Sequence, residues 1–199
     1  MPVVTAAQVR AVIRGPVSAD DTIIDTLVGR VDSALAAWLN FPVPDNGTRT
    51  LGAATYTLFP GPRAIDRDQP AILALAVSPV ISVTSVHIDP DRVYGSADEV
   101  TSGYRDLDAA AGLIILRDDS PLAWARSLRA NKVVVSAGWA TLPGELAHAV
   151  ILQVAHLMAH STAAGRTSTD DGQTRVDLLS LDLLPEVKAL ARPYRLVEP

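Results

Sequence analysis

The sequence contains no cysteine, no long apolar run and no cluster of lysine and arginine. Without cysteine, disulfide bonds and thiolate metal sites are excluded. No apolar stretch approaches the roughly 18–20 residues that a membrane-spanning helix needs, so we expect no membrane segment. The amino terminus lacks a basic region followed by an apolar core, and we therefore expect no signal peptide.

The charge balance and the missing motifs also narrow the possible functions. The net charge is −5 at pH 7, from 17 basic and 22 acidic residues. This balance argues against a surface that grips nucleic acid, but it allows DNA to pass close by without being held. The sequence has no GxSxG, P-loop or HExxH motif. We therefore predict a protein that is not an enzyme and has no cofactor.

The first part of the chain has a helical pattern. The 199 residues, 48% of them apolar, suit one domain with a real core, or one domain with a sizeable insertion. Thr5 and Gln8 have the spacing of a capping box, which predicts a short helix. Acidic residues at 20–21 precede a longer amphipathic pattern from Ile23 to Leu39. This pattern predicts a second helix that ends before Phe41.

Residues 45–131 have a different character, with short β-branched segments between turn signals. They predict a small antiparallel sheet inserted between helices. We expect Trp124 and Leu128 to cover one edge of it. The predicted strands are 50–59, 72–77, 80–88, 104–107 and 113–116.

The chain then returns to a helical pattern through one more strand. Residues 133–135 are all valine, and Pro143 is placed where the first turn of a helix tolerates proline. The helix that follows has an apolar stripe and an opposite polar side. The stripe contains Leu146, Val150, Val154 and Leu157, and the polar side contains Glu145, His148, Gln153, His156 and His160.

The end of the chain combines a polar stretch with an apolar one. Residues 164–177 are small and polar, which predicts a flexible linker. Residues 178–199 are richer in leucine, and Pro185 is predicted to start a short helix that runs to about Ala191. This segment could pack on its own core or dock on another subunit. We favour docking, because a tether of this length lets the segment reach a neighbour.

These elements predict an α+β fold: an antiparallel helix bundle with an inserted small antiparallel β-sheet domain and a tethered C-terminal helix. The expected helical core comprises residues 1–44 and 132–163, and the β-rich insertion comprises 45–131. The linker spans 164–177, and the docking segment spans 178–199.

The histidines of the long helix allow one alternative function. Glu145 and His148 have ExxH spacing, and His156 and His160 are one helical turn apart. Such spacings can hold a metal ion, which would suit a metal-binding helical enzyme. The plainer interpretation is a polar side that faces solvent or another subunit. We favour it, and predict no metal site, because the pattern supplies no second helix of carboxylates.

The order of elements resembles that of the head–tail connector (adaptor) proteins of long-tailed bacteriophages and phage-like gene transfer agents. The resemblance rests on the strand and turn at 135–139, on the helix AHAVILQVAHLMAH after Pro143, and on the tail PEVKALARPYR. It implies a structural virion protein at the neck, assembled in the bacterial host cytoplasm. Such adaptors form a ring beneath the portal protein, usually of twelve copies. The ring extends the DNA channel and presents a surface to the next head-completion or tail protein.

The resemblance also implies a site. In these adaptors, C-terminal segments commonly dock on the portal, while DNA passes through the lumen without specific binding. The residues in the matching segment of this chain are Leu184, Val187, Leu190, Arg192, Tyr194 and Arg195.

Overall fold

A computed structural model describes residues 3–12, 21–61, 72–101, 103, 105–117, 120–161 and 182–196. Within these ranges the fold is mixed, with four α-helices and two three-stranded antiparallel sheets. Short 3₁₀ turns lie at Ser96–Asp98 and Arg192–Tyr194. The helices are α1 (Ala6–Val12), α2 (Asp21–Trp38), α3 (Gly144–Ser161) and α4 (Pro185–Ala191). The strands are β1 (Ala54–Leu58), β2 (Ile72–Ala74), β3 (Val80–Ile88), β4 (Arg105–Asp108), β5 (Leu113–Leu116) and β6 (Asn131–Ala137).

The first two helices begin as the sequence predicts. The backbone N–H of Thr5 donates to Gln8 Oε1 at 2.8 Å, and the backbone N–H of Gln8 donates to Thr5 Oγ1 at 3.3 Å. These two bonds confirm the capping box of α1. α2 begins at Asp21, whose negative charge complements the helix dipole and pairs with Arg10 at 2.6 Å.

The first sheet has the strand order β1-β6-β3, so that β6 is its central strand. Alternate residues of β6, from Asn131 to Ala137, are buried, as the period of two of a strand requires. The predicted boundary between insertion and helical core, at residue 132, falls inside this strand. The central strand of the sheet therefore leads directly towards α3.

The second sheet has the order β2-β5-β4 and packs its hairpin turn against the chain between β2 and β3. Gly112 in that turn has φ +67°, and its carbonyl accepts a hydrogen bond from the Leu75 N–H at 2.8 Å. A Cβ at this position would lie 2.6 Å from the carbonyl oxygen of Val77. Only glycine adopts this positive φ without strain and also lacks the Cβ that would clash with Val77. Gly112 therefore fixes the position of the hairpin turn against the rest of the β region.

α3 is the element on which the other helices pack. α1, α2 and α4 all contact it. Its buried apolar face follows the stripe that the sequence predicts, because residues at i, i+3 and i+4 share one side of a helix. None of the described helices combines the length and apolar character needed to span a membrane. The buried members of α3 are Leu146, Ala149, Val150, Ile151, Gln153, Val154 and Leu157.

A close backbone contact joins the sheet to the helices where β6 ends. Gly138 has φ +103°, and a Cβ there would lie 2.4 Å from the carbonyl oxygen of Gly52. The next residue, Trp139, donates its N–H to the Leu51 carbonyl at 2.9 Å. On the other side of that loop, the Asp32 carboxylate of α2 accepts the Leu51 N–H at 2.9 Å. The loop before β1 is therefore held between α2 and the end of β6.

Two sequence expectations are wrong. Leu128 does not cover a sheet edge: its side chain is 78% exposed, whereas Trp124 is buried. Gln153 does not lie on the polar side of α3 but is buried. The predicted linker at 164–177 and the start of the docking segment at 178–181 lie outside the described residues.

Candidate functional site

The candidate site is the C-terminal segment, residues 183–196, which we define as the tail. Its helix α4 begins where the sequence predicts, with Leu184 at the N-cap and Pro185 in the first turn. Proline suits this position because its missing N–H would have no partner inside the helix. After Ala191 the backbone tightens into the 3₁₀ turn at Arg192–Tyr194, which contains Pro193. The tail therefore has its own defined secondary structure.

The apolar face of the tail packs on its own chain. Val187 and Ala191, one turn apart on α4, are completely buried, and Leu183 is almost so. Leu184, Leu190 and Tyr194 are partly buried and pack against the same core. Because α4 contacts α3, this burial is intramolecular.

Gln153 of α3 fixes the start of the tail. Its Oε1 accepts the backbone N–H of Leu184 at 2.9 Å, and its Nε2 donates to the carbonyl oxygen of Asp182 at 3.5 Å. The amide thus satisfies backbone groups on both sides of Leu183, one of them an N–H that α4 cannot satisfy itself. A buried amide with such partners stabilises one position of the tail.

Tyr194 fixes the other end of the tail near the start of α3. Its hydroxyl donates to Glu145 Oε2 at 2.7 Å, and this bond to a carboxylate raises the pKa of Tyr194. Its ring meets Trp139 edge to face, with 5.9 Å between centroids. Trp139 in turn contacts Phe41 at 5.3 Å. The tail is therefore linked by aromatic contacts to the turn after β6 and to the end of α2.

The last described residues bind the end of α2. The Leu196 N–H donates to the Leu39 carbonyl at 3.0 Å, and Asn40 Nδ2 donates to the Leu196 carbonyl at 3.1 Å. The Arg195 guanidinium lies 5.5 Å from the centroid of the Trp38 ring, within cation–π range.

These contacts correct one expectation from the sequence. We expected the tail to leave its own core and reach another subunit, but the described tail is packed on α3 and the end of α2. Val187 is fully buried and offers no surface to a partner in this arrangement. Arg192 and Arg195 remain exposed, whereas Leu184, Leu190 and Tyr194 are partly exposed. Portal binding by these residues stays a prediction.

Sequence reasoning missed the residues that receive the tail, above all Gln153. The sequence did contain a signal for it, because residue 153 lies three and seven positions after Val150 and Leu146. Those spacings place it on the apolar stripe of α3. A polar residue in such a stripe indicates a buried hydrogen-bonding partner.

The histidine face does not assemble a metal site in the described part of the chain. His148 is exposed and His156 is partly buried. Among the described residues, no three histidine or acidic side chains are grouped so that they could hold an ion. The side chain of His160 lies outside the description. Of the proposed face, Glu145 has a structural partner instead, the hydroxyl of Tyr194.

Comparison with known proteins identifies the fold. Neither a protein-family model nor a curated protein matches the chain. Solved structures do match. The chain is 19% identical to a chain in the neck of an empty gene transfer agent (GTA) particle computed with C6 symmetry, with a TM-score of 0.57. That match covers 100% of this chain and 91% of the other.

Two further structures show the same likeness. One is the virion of a native GTA particle, with 18% identity and a TM-score of 0.58, covering 100% of this chain and 91% of the other. The second is the neck of a native GTA particle computed with C12 symmetry, with 18% identity and a TM-score of 0.53. It covers 90% of this chain and 85% of the other. The resemblance found in the sequence is thus confirmed at the level of the fold.

Proposed function

We propose that this chain is a head–tail connector (adaptor) of a phage or gene-transfer-agent particle. In this role it forms a ring beneath the portal, extends the DNA channel and provides the attachment surface for the next head-completion or tail protein. The observation that carries the proposal is the fold match over the whole chain to chains of GTA necks and virions. A match over 100% of this chain is more than a shared motif, since both the helices and the β region take part.

Ring formation is the second part of the proposal. The neck structures that share the fold were computed with C6 and C12 symmetry, which supports a closed homo-oligomeric ring, with twelve copies as the expected number. We place the ring at the neck of the virion, after assembly in the bacterial host cytoplasm. The helices α1 to α4 would form an antiparallel bundle that is the body of the ring, and the β region would be the insertion that decorates it.

The tail is the proposed contact with the portal. Its exposed residues Arg192 and Arg195 would face acidic groups on the portal rim, next to the partly exposed Leu184, Leu190 and Tyr194. The fully buried Val187 would hold the segment in place instead of contacting the portal directly. Basic side chains at the edge of a contact contribute to specificity and to association rate.

DNA would pass through the lumen of this ring without being held. A net charge of −5 per chain supports this, because a ring of such subunits repels phosphates more than it attracts them. The proposal assigns no catalytic role and no cofactor to the chain. The metal-dependent alternative has no grouping of ligands in the described residues to support it.

The test uses the purified chain and the portal protein of its own particle. Negative-stain images of the mixture should show a second ring stacked on the portal ring. The variant Arg192→Glu with Arg195→Glu should give portal rings alone, because it reverses the charge of the proposed contact at exposed residues and leaves the buried face of the tail unchanged. A full-length chain that leaves the portal ring bare would contradict the proposal.

A further inference from the structure

Two neighbouring loops end the first sheet on the side away from the start of α3. One loop, residues 89–99, follows β3, and the other, residues 126–132, leads into β6 and includes the first two residues of that strand. Each presents an apolar side chain to solvent: Val93 is 80% exposed and Leu128 is 78% exposed. No other large apolar side chain in the described residues is as exposed. We call the two loops together the tip.

The backbone of the tip is held in an unusual conformation. Arg92, Tyr94 and Arg129 have φ values of 63°, 54° and 61°, and only one other described non-glycine residue has positive φ. These left-handed residues border Val93 on both sides and Leu128 on one. The Asp89 carboxylate accepts three backbone N–H groups of the first loop, including that of Val93 at 2.6 Å. Strain of this kind persists where the surrounding structure enforces it, and it collects at functional surfaces.

The two loops are joined to each other through aromatic side chains. The Tyr94 hydroxyl of the first loop donates to the Arg129 carbonyl of the second. Lys132 Nζ lies 5.0 Å from the centroid of the Tyr94 ring, and the Arg129 guanidinium lies 4.2 Å from that of Phe59. The cations are therefore held on aromatic faces. Neither ion pair found among the described residues involves them.

The loops carry opposite charge. Residues 89–99, which we call the acidic loop, contain four carboxylates and one cation, and Asp91 and Glu99 among them are exposed. Residues 126–132, the basic loop, contain three cations and no carboxylate. A surface with an acidic flank and a basic flank is complementary to another copy of itself. A contact in which the basic loop of one copy meets the acidic loop of the next is heterologous, and contacts of that kind form a ring when the rotation between copies closes.

We propose that the tip is a contact between copies of this chain, in which the basic loop of one copy meets the acidic loop of the next. Val93 and Leu128 would be buried at that contact, between the opposite charges. The proposal rests on the ring proposed above and adds the surface that joins its subunits. The acidic loop and the apolar side chains make the tip unsuited to a phosphate backbone.

Reversing the charge of one loop at a time tests the acidic loop and the basic loop separately. One variant, Arg126→Glu with Lys132→Glu, has two acidic flanks. The other, Asp91→Lys with Glu99→Lys, has two basic flanks. Each alone should form at least about tenfold fewer rings on the portal than the unchanged chain, because like charges then meet at every contact. An equimolar mixture should restore the rings, since unlike flanks alternate around them. Rings formed equally well by either variant alone would overturn the proposal.

Disulfide trapping reads the contact without a portal or a ring. The chain has no cysteine, so Val93→Cys and Leu128→Cys are each the single thiol of their variant. After mixing and mild oxidation, these two should give about tenfold more linked dimer than the control mixture of Val43→Cys with Leu128→Cys, because linkage needs close Cβ approach. Val43 is also exposed, at 53%, but lies outside the tip.

Equal yields from the two mixtures would overturn the tip contact. If the tip pair is trapped while the unchanged chain leaves the portal bare, the connector role fails and the contact between copies stands. A short DNA duplex that binds the unchanged chain but not Arg126→Glu with Lys132→Glu, together with equal disulfide yields, would assign the basic loop to phosphate and overturn the proposal.

Discussion

At the scale of single residues, Asp32 carries much of the link between α2 and the loop before β1. Its carboxylate accepts the Leu51 N–H and the Thr50 hydroxyl, the latter at 2.6 Å. Burial raises the pKa of Asp32, although both hydrogen bonds act in the opposite direction. Burial therefore destabilises the charged form of Asp32 in the folded chain, and the two hydrogen bonds offset only part of this effect.

This raised pKa makes stability depend on pH. The folded chain binds the Asp32 proton more tightly than the unfolded chain does. The resulting stabilisation is present below the unfolded pKa and is lost as pH rises through the folded pKa. Asp32→Asn removes the titration and keeps an acceptor for Leu51. The free energy of unfolding of Asp32→Asn minus that of the unchanged chain should therefore increase as pH rises. Urea unfolding between about pH 4 and pH 7 measures this difference. A difference in unfolding free energy that is independent of pH would contradict this.

Tyr56 has a buried hydroxyl whose loss of hydration is not offset by a hydrogen bond. Its hydroxyl is buried and has no hydrogen-bonding partner among the described contacts. Desolvation, with the nearby Asp32 charge, raises the pKa of Tyr56 to about 12, which keeps the hydroxyl protonated. An unsatisfied buried hydroxyl costs on the order of 1 kcal/mol or more.

Tyr56→Phe should consequently stabilise the chain. Removing the hydroxyl leaves the ring in place and should raise the Tm by roughly 2–4 °C, measured by calorimetry. The exposed hydroxyl of Thr26 bonds only within its own helix, so Thr26→Val serves as the comparison for a change that removes one hydroxyl. A lower Tm for Tyr56→Phe would mean that the hydroxyl has a buried partner, such as a water molecule.

At the scale of elements, the tail packs on α3 and on the end of α2. Val187→Ala should cost about 2 kcal/mol, because it removes two buried methyl groups and leaves a cavity. The Tm should fall by roughly 4–8 °C in a chain of this size. Arg192→Ala on the exposed side of the same segment should leave the Tm nearly unchanged. Equal effects of the two changes would show that the tail does not pack on α3 in solution.

Removing the whole tail should have a larger effect than either point change. We expect truncation after Thr174 to lower the Tm by more than Val187→Ala does, since the contacts of Gln153 and Glu145 are lost as well. A circular-dichroism melt would measure it. This expectation reverses the one from the sequence, where the tail was predicted to leave its own core. An unchanged Tm after truncation would restore that view.

Local patterns predicted the elements well, because their causes are local. The capping box of Thr5, the valine strand before Gly138 and the start of α4 at Pro185 all depend on nearby residues, and all three are confirmed. The surface on which the tail packs is formed by contacts between residues far apart in sequence, such as Gln153 with Leu184. The exposure of Leu128 likewise depends on the fold of the second loop. Periodicity alone carries no information about such pairings.

At the scale of the whole molecule, most of the apolar side chains in the described residues pack against one another within the chain. The core contains the buried faces of all four described helices and of the central strand β6. Obligate rings usually have large apolar interfaces, but only eight large apolar side chains of the described residues are exposed, and the two most exposed of them lie at the tip. We therefore expect a monomer or small oligomer in isolation and ring formation on the portal. Light scattering at micromolar concentration should give the mass of one or a few chains. A stable large ring without portal would contradict this.

The channel makes a separate prediction for the assembled ring. With a net charge of −5 per chain, the ring should bind duplex DNA weakly at physiological salt. Fluorescence anisotropy of a labelled duplex, with and without the portal-bound ring, measures this directly. Tight binding that weakens steeply as salt increases would show that the lumen holds DNA instead of letting it slide.

Cryo-electron microscopy of the particle that contains this chain is the most direct test of the connector role. The account predicts a closed ring of this chain directly beneath the portal and around the DNA channel. Its tails should lie on α3 with Arg192 and Arg195 towards the portal, and its tips should meet copy to copy. A particle whose neck is complete without this chain, or in which the chain lies away from the channel, would contradict the account.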